Sequence, residues 1–466
     1  MIGAPHISRV MTGASSLWRG QLARQAIWLA GPFGLQQLIR LASSVVLARL
    51  LAPEMFGVMV LINTLRTGTE MLSDIGIGQS VVRSPHATDR EFLDTAFTVQ
   101  LVRGMMLCGL GLLAAWPIAH AYGNADLFPI ISLVSVGFLT TGLLSPDLFM
   151  MQRDMRLVQR AIWDLTTTIG SSLVTIALAM IWGNVWALVW GLVLGSVFSM
   201  LMTYAFQPLR LPRLAWKPSY VSEILNFGKW IFLSTAIFFA SVSTDKIYFS
   251  AVLPLAMVGV YGVARTFADM LSALAQRFGQ MLVFPKVVEL RQRGAVAVGF
   301  RRKRRLAMTG IAVAMAFSLA GSDQLVLTLY DRRYHEAAFM LPVLLVSVWF
   351  AVLAAFGEAT LFGLDRPQAS AVGNAAKFAV MIVGLPLLVP SYGILAGLLV
   401  LFVGEVARWL ALSIALQRER LASIGEDLIL TLLLAPTALA LKATAGALGL
   451  VPTIAQWWAL GATLHG

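Results

Sequence analysis

The chain has 466 residues, 58% hydrophobic and only 12% charged, with a mean hydropathy of +0.79 and a formal charge of +12. That balance excludes an ordinary soluble domain, and continuous apolar runs such as Leu341 to Phe356 exclude the alternating strands of a membrane β-barrel. The single cysteine, Cys108, excludes an intramolecular disulfide, and the five scattered histidines match no zinc spacing, so no metal site is expected.

A spanning helix needs about 20 mainly apolar residues, because in lipid only a helix satisfies its own backbone polar groups. The N-terminal segment 1–25 carries Arg9, Arg19 and Arg24 but no apolar run of signal-peptide length, and is expected to be uncleaved and cytoplasmic. Apolar segments then fall at 26–48, 55–82, 93–120, 127–150, 160–182 and 184–206, predicting a six-helix lobe over 26–206. Residues 207–222 contain three prolines and read as a cytoplasmic linker. A second lobe over 223–416 follows, with segments at 226–252, 255–288, 305–329, 337–363, 368–389 and 392–416. The remainder, 417–466, holds one further span at 426–448 and a short apolar tail around Trp457 and Trp458. The expected fold is an all-α polytopic membrane protein with about 12 core transmembrane helices plus one or two C-terminal ones.

Lys and Arg collect in alternate loops, which stay on the cytoplasmic side. One set carries Arg83 and Arg90, Arg153 to Arg160, Arg210 to Lys217, Arg291 to Arg305, Arg366, and Arg418 with Arg420; Lys246 and the pair Arg332 and Arg333 are the exceptions. The run Arg301 to Arg305 adjoins a span and reads as an anchor against anionic membrane lipids, so nucleic acid is not an expected partner. Met55-Phe56-Gly57-Val58 is echoed by Met257-Val258-Gly259-Val260, which with six helices per lobe predicts a parallel pseudo-two-fold repeat about a central cavity.

Charge inside a span is costly, so intramembrane ionisable residues are the functional candidates. The first lobe offers Arg40, Arg66, Glu70, Asp74 and Arg103; the second offers Asp245, Lys246, Arg265, Asp269, Arg277, Glu358, Lys377, Glu405 and Arg408. Arg66, Glu70 and Asp74 recur every four residues on one helix face, as do Arg265 and Asp269, and each set can also pair internally as a structural ion pair. Arg40, Arg66, Arg103, Arg265, Arg277 and Lys377 are the expected cationic cavity, suited to an anionic headgroup such as a diphosphate. Glu70, Asp74, Asp245, Asp269, Glu358 and Glu405 are the expected coupling groups for a proton or sodium ion. Asp74-Ile75-Gly76-Ile77-Gly78 contains a G-x-G without a strand or third glycine, and reads as helix packing or a helix end, not a nucleotide site.

Two passages carry a resemblance. Leu47-Ala48-Arg49-Leu50-Leu51-Ala52-Pro53-Glu54-Met55-Phe56-Gly57 and Ser73-Asp74-Ile75-Gly76-Ile77-Gly78-Gln79-Ser80-Val81-Val82-Arg83 resemble the N-terminal signature of bacterial polysaccharide-biosynthesis flippases. Phe227-Gly228-Lys229-Trp230, Asp245-Lys246, Gly259-Val260-Tyr261-Gly262-Val263-Ala264 and Phe284-Pro285-Lys286 are similar to the same family's later pattern, and the similarity runs to about residue 420. The resemblance implies the Wzx-type branch of the multidrug, oligosaccharidyl-lipid and polysaccharide exporter superfamily. By it, the protein would be a transporter and not an enzyme. It would need no cofactor beyond an ion gradient, and would lie in the bacterial inner membrane with its N-terminus cytoplasmic. It would flip undecaprenyl-diphosphate-linked oligosaccharide beside a polysaccharide polymerase or export machinery. The related lipid II flippases bear arginines in comparable helices to Arg40, Arg66 and Arg265. A drug or lipid II exporter of the same fold, and a membrane polymerase or assembly partner, are the rival expectations.

Overall fold

The computed structural model describes residues 31–457 apart from 155, 207–210, 293–295, 422 and 454. The N-terminal segment 1–25, Arg210, Arg293 and Trp458 lie outside the described residues, as do the side chains of Phe227 to Trp230 and Arg301 to Lys303. Among the described residues every regular element is a helix and no strand occurs.

Helix α1 occupies 31–50 and leads through a two-residue link into α2 (Pro53–Met71), whose first position is a proline that needs no amide donor there. The predicted second span does not continue to residue 82. Gly76 adopts a left-handed conformation (φ 63°) and starts a short α3 (Ile77–Arg83), and a Cβ on Gly78 would lie 2.6 Å from the Phe149 ring, so both glycines serve local geometry and packing. Asp89 accepts the Glu91 amide at 3.1 Å and starts α4 (Arg90–Ala121). The segment expected at 127–150 is two helices, α5 (Leu127–Gly142) and α6 (Asp147–Arg153), bent by 59° around a break that contains Pro146. Helix α7 (Leu157–Trp182) stops at left-handed Gly183, and Asn184 caps α8 (Val185–Ala205) by accepting the Trp186 amide.

The second half opens with α9 (Pro218–Val252) and α10 (Leu255–Phe278). A π turn over Gly279–Val283 separates α10 from the short α11 (Phe284–Gln292), so the second helix of this half is also followed by a short one. Then come α12 (Val296–Leu329), α13 (Ala337–Gly363), α14 (Gln368–Arg418) and α15 (Ile424–Ala447). Helix α14 breaks at Gly393 (φ 66°, ψ −160°), where the hydropathy pattern had separated two spans.

By length and apolarity seven of these helices can cross a membrane: α4, α7, α8, α12, α13, α14 and α15, with the bent α5–α6 pair an eighth. Helices α1, α2, α9 and α10 are absent from that set, and they are the ones carrying most of the charged and hydroxyl residues of the central cavity. Helix α13 is the packing centre of the second half, with 83% of its apolar window buried, and it lies against α10, α12 and α14. The outer surface is apolar, with Leu113, Trp116, Leu173 and Leu432 all more than half exposed. A polar interior inside an apolar surface is the arrangement of a multi-pass membrane protein.

Candidate functional site

Helix α2 crosses α10 at the middle of the molecule, and the space beside the crossing is a cavity of about 440 Å³ walled by α1, α2, α7, α8, α9 and α10. Three cations line it among the described residues: Arg40 from α1, Lys246 from α9 and Arg265 from α10. One carboxylate, Asp269, lines it too. Asn63, Thr64 and Thr67 of α2 and Ser172 and Thr175 of α7 add neutral donors and acceptors. The charged groups all come from α1, α9 and α10, which also bring the hydroxyls of Ser43, Ser44, Ser243 and Thr266, so charge and hydroxyl groups are interspersed around the cavity.

The charges are organised by helix spacing. Arg265 and Asp269 are one turn apart, which puts Arg265 Nε 2.9 Å from Asp269 Oδ1. Lys246 Nζ donates to the other oxygen of Asp269 at 2.9 Å. Behind this pair Asp245 is fully buried, 3.6 Å from Arg265 Nη1, and accepts the Tyr261 hydroxyl. Arg265 thus stands between two carboxylates, buried Asp245 at its Nη1 end and cavity-lining Asp269 at its Nε.

Beyond Arg265, across a small void of about 20 Å³ that Ser347 also lines, lies a second buried array. Lys377 Nζ donates to Glu405 Oε1 at 2.6 Å, Arg408 donates to Glu358 at 2.8 Å, and the Ser370 hydroxyl donates to Glu358 as well. Lys377, Glu358 and Glu405 are neighbours of the cavity wall, not part of its lining.

The remaining sequence candidates sit elsewhere. Arg66 faces α4 and α5, not the cavity, and pairs with Glu70 at 3.0 Å. Arg103 donates to the Glu70 carbonyl at 2.6 Å and to Ser73 Oγ, which satisfies the open end of α2. Asp74 accepts the Gly76 amide at 2.8 Å ahead of α3. Arg277 is exposed in the last turn of α10, 5.8 Å over the Phe33 ring. Spacing by four put Arg66, Glu70 and Asp74 on one helix face, but α2 ends at Met71 and leaves Asp74 beyond it, and the spacing could not say toward which neighbour the face of Arg66 and Glu70 turns. Lys246 was visible as an intramembrane charge, and only the fold shows that it joins Arg40 and Arg265.

The sequence reading also passed over two ion pairs that fasten α15 to α12. Arg304 makes a bidentate pair with Asp427 at 2.8 and 2.9 Å, and Lys442 pairs with Asp323, both fully or nearly buried. Trp409 Nε1 adds a donor to Asp427 at 3.3 Å. For Asp323 and Lys442 the available signal was one uncompensated charge inside each of two apolar segments, whereas Arg304 was hidden in a basic run.

Comparisons with known proteins agree with this geometry. The lipid II flippase MurJ in an inward closed conformation superposes with a TM-score of 0.74 at 11% identity, covering 90% of this chain and 93% of that one. An inward-facing multidrug resistance transporter of the MATE family, in the multidrug, oligosaccharidyl-lipid and polysaccharide exporter superfamily, gives 0.64 at 15% identity over 88% and 96%. The lipopolysaccharide biosynthesis protein WzxC of Escherichia coli (strain K12) is 21% identical over 225 residues, 48% of this chain and 46% of that protein, so the match spans about half of each. Residues 46–339 match the profile of the polysaccharide biosynthesis protein family, and the chain belongs to that family.

Proposed function

We propose that the protein is a flippase that moves an undecaprenyl-diphosphate-linked oligosaccharide from the cytoplasmic to the periplasmic leaflet of a bacterial inner membrane. The observation that carries this reading is the convergence of Arg40, Lys246 and Arg265 on one cavity that hydroxyl and amide side chains also line. Guanidinium and ammonium groups suit a diphosphate, and neutral hydroxyl and amide groups suit a glycan. The prenyl chain stays in lipid outside the apolar surface. Two lobes of six helices rock about the bound headgroup, opening first toward the cytoplasm and then away from it. No chemical step is required, so the cationic residues bind and do not react. A polymerase or export assembly receives the flipped cargo.

A drug exporter of the same fold is the rival. Its usual cargo is cationic, and a cavity with three cations against one carboxylate repels it. The test is the leaflet distribution of undecaprenyl-diphosphate oligosaccharide in cells lacking the protein, complemented with wild type, Arg40→Ala, Arg265→Ala or Arg66→Ala. Wild type and Arg66→Ala should clear the cytoplasmic leaflet, whereas correctly inserted Arg40→Ala and Arg265→Ala should not. Normal crossing of cargo in the empty strain would overturn the reading.

A further inference from the structure

Asp269 is out of place in a cavity built for an anion. It lines the same space as Arg40, Lys246 and Arg265, and its side chain is 43% exposed to that space. It stands between two of the three cations, with one carboxylate oxygen 2.9 Å from Lys246 Nζ and the other 2.9 Å from Arg265 Nε. The Arg265 contact has charge but no aligned hydrogen bond, since Nε is buried and has no hydrogen-bond acceptor in range of the right geometry. Buried Asp245 reaches the Nη1 end of the same guanidinium at 3.6 Å. Of the two carboxylates only Asp269 lines the cavity, so it is the one an incoming phosphate oxygen can replace while Asp245 stays in place.

Resting on the diphosphate reading above, we propose that Asp269 is a resident counter-anion, displaced by the cargo diphosphate and restored when the cargo leaves. Two consequences follow from charge alone. An intramolecular competitor lowers the affinity for every anion that must displace it, so weakly held anions fall below useful binding while a chelating diphosphate stays above it. The second consequence concerns the return of the empty carrier. Without Asp269, Lys246 would lose its carboxylate partner and Arg265 one of its two as the cavity closes, and the hydration lost would have nothing in exchange; Asp269 keeps both paired during that step. The residue thus trades binding strength for turnover.

The test uses the full chain in lipid nanodiscs, with inorganic pyrophosphate and orthophosphate as probes. Asp269→Asn is expected to bind both about tenfold or more tightly than wild type, the scale on which one adjacent like charge acts on an anionic group. Asp269→Glu, which keeps the carboxylate, is expected to bind both more weakly than Asp269→Asn. Lys246→Gln should cost more affinity in the Asp269→Asn background than in the wild-type one, because its ammonium is no longer quenched. In cells, Asp269→Asn should load cargo but turn over more slowly than wild type. If wild type binds pyrophosphate and folded Asp269→Asn binds it equally or more weakly, the counter-anion role is overturned and the cationic cavity stands. If Asp269→Asn fails to fold, the Lys246→Gln comparison between wild type and Asp269→Glu carries the test, and a loss of affinity as large as that of Arg40→Gln overturns the proposal, since a quenched cation cannot contribute so much. If neither protein binds either phosphate while both bind an organic cation, the diphosphate reading falls and this proposal with it.

Discussion

Gly57 and Gly259 make the same contact in opposite directions. A Cβ added to Gly57 would stand 1.9 Å from the carbonyl oxygen of Leu255, and one added to Gly259 would stand 1.9 Å from the carbonyl oxygen of Pro53. The two glycines are offset along the chain by the same number of positions as the two carbonyl residues, Pro53 and Leu255, which is the signature of a self-complementary contact about a two-fold axis. Small residues are what allow two backbones to approach this closely in a membrane. The crossing of α2 and α10 beside the cavity is thereby fixed at backbone contact.

Alanine at either position has to push a carbonyl away, so Gly57→Ala or Gly259→Ala should each cost roughly 1–3 kcal/mol or more and lower the melting temperature in nanodiscs. Gly310, in the exposed part of α12, has nothing within 4 Å of its added Cβ. Gly310→Ala should leave the melting temperature unchanged or raise it, by up to about 1 kcal/mol in stability, because alanine is the better helix former. Equal effects at all three positions would remove the crossing from the account.

This contact also marks what was legible in the sequence. The echo of Met55-Phe56-Gly57-Val58 in Met257-Val258-Gly259-Val260 was readable because glycine at a close approach leaves a local pattern. The direction of each charged face was not. Arg66 and Arg265 look alike as single charges in the second helix of each half, yet Arg265 fronts the cavity and Arg66 faces α4 and α5. What decides between them is the rotation of α2 and α10 about the glycine crossing, a tertiary quantity. The helix end at Gly76 was legible in its G-x-G, but the breaks at Pro146 and the π turn after Phe278 were hidden, since hydropathy averages over a window longer than a kink.

Asp323 and Lys442 supply the second prediction. Each is the only charge deep in its apolar segment, and they meet across α12 and α15 with side chains 0% and 9% exposed. Removing one partner strands the other, so Asp323→Leu or Lys442→Leu alone should destabilise by about 3–5 kcal/mol. Replacing both with leucine should recover most of that loss, because the desolvation of the pair disappears with its attraction. A double-mutant cycle on thermal unfolding measures this directly. Additive losses would mean the two residues act independently.

Arg49 and Arg333 cap each other's helices at one face of the membrane. Arg333 Nη2 donates to the Ala48 carbonyl at 3.3 Å at the end of α1, while Arg49 Nη2 donates to the Leu329 carbonyl at 3.2 Å at the end of α12. The two halves are joined there by reciprocal arginine caps. Arg49→Ala combined with Arg333→Ala should therefore favour opening on that face. In a Cys108→Ala background, Ser44→Cys in the cavity should label several-fold faster with an impermeant maleimide applied from that side. Unchanged labelling would show that the caps do not limit opening.

The same caps make a prediction about acid. Asp331 accepts from the Arg333 side chain and amide, which holds its carboxyl below its usual value of 3.8. A carboxyl lowered on folding contributes stability above its ordinary value and loses it as pH falls through the lowered one. The labelling rate from that face, divided at each pH by that of the Arg49→Ala/Arg333→Ala variant so that ionisation of the thiol cancels, should then be flat between about pH 5 and 8 and should rise only below the ordinary aspartate range. A rise near pH 6 would point to a different titrating group.

The last prediction concerns the coupling ion. Asp245 and Asp269 are paired with Arg265, Asp269 also with Lys246, Glu405 with Lys377, and Glu358 with Arg408. Glu70 is paired with Arg66, and Asp74 accepts a backbone amide. Among the described residues no group of three or more carboxylate, histidine or cysteine side chains forms a cation-binding set. A sodium ion bound at any of these carboxylates other than Asp74 would have to displace an ammonium or guanidinium of the chain, and in a buried site that leaves an unpaired cation beside it. Protonation of a carboxylate carries no such steric demand. Cargo transport by the protein in vesicles should therefore be unchanged when sodium is replaced by choline at constant pH, and should respond to a proton gradient of either sign. A requirement for sodium, retained in Glu358→Gln and Glu405→Gln, would place the ion at a site outside this array and would make its paired carboxylates structural.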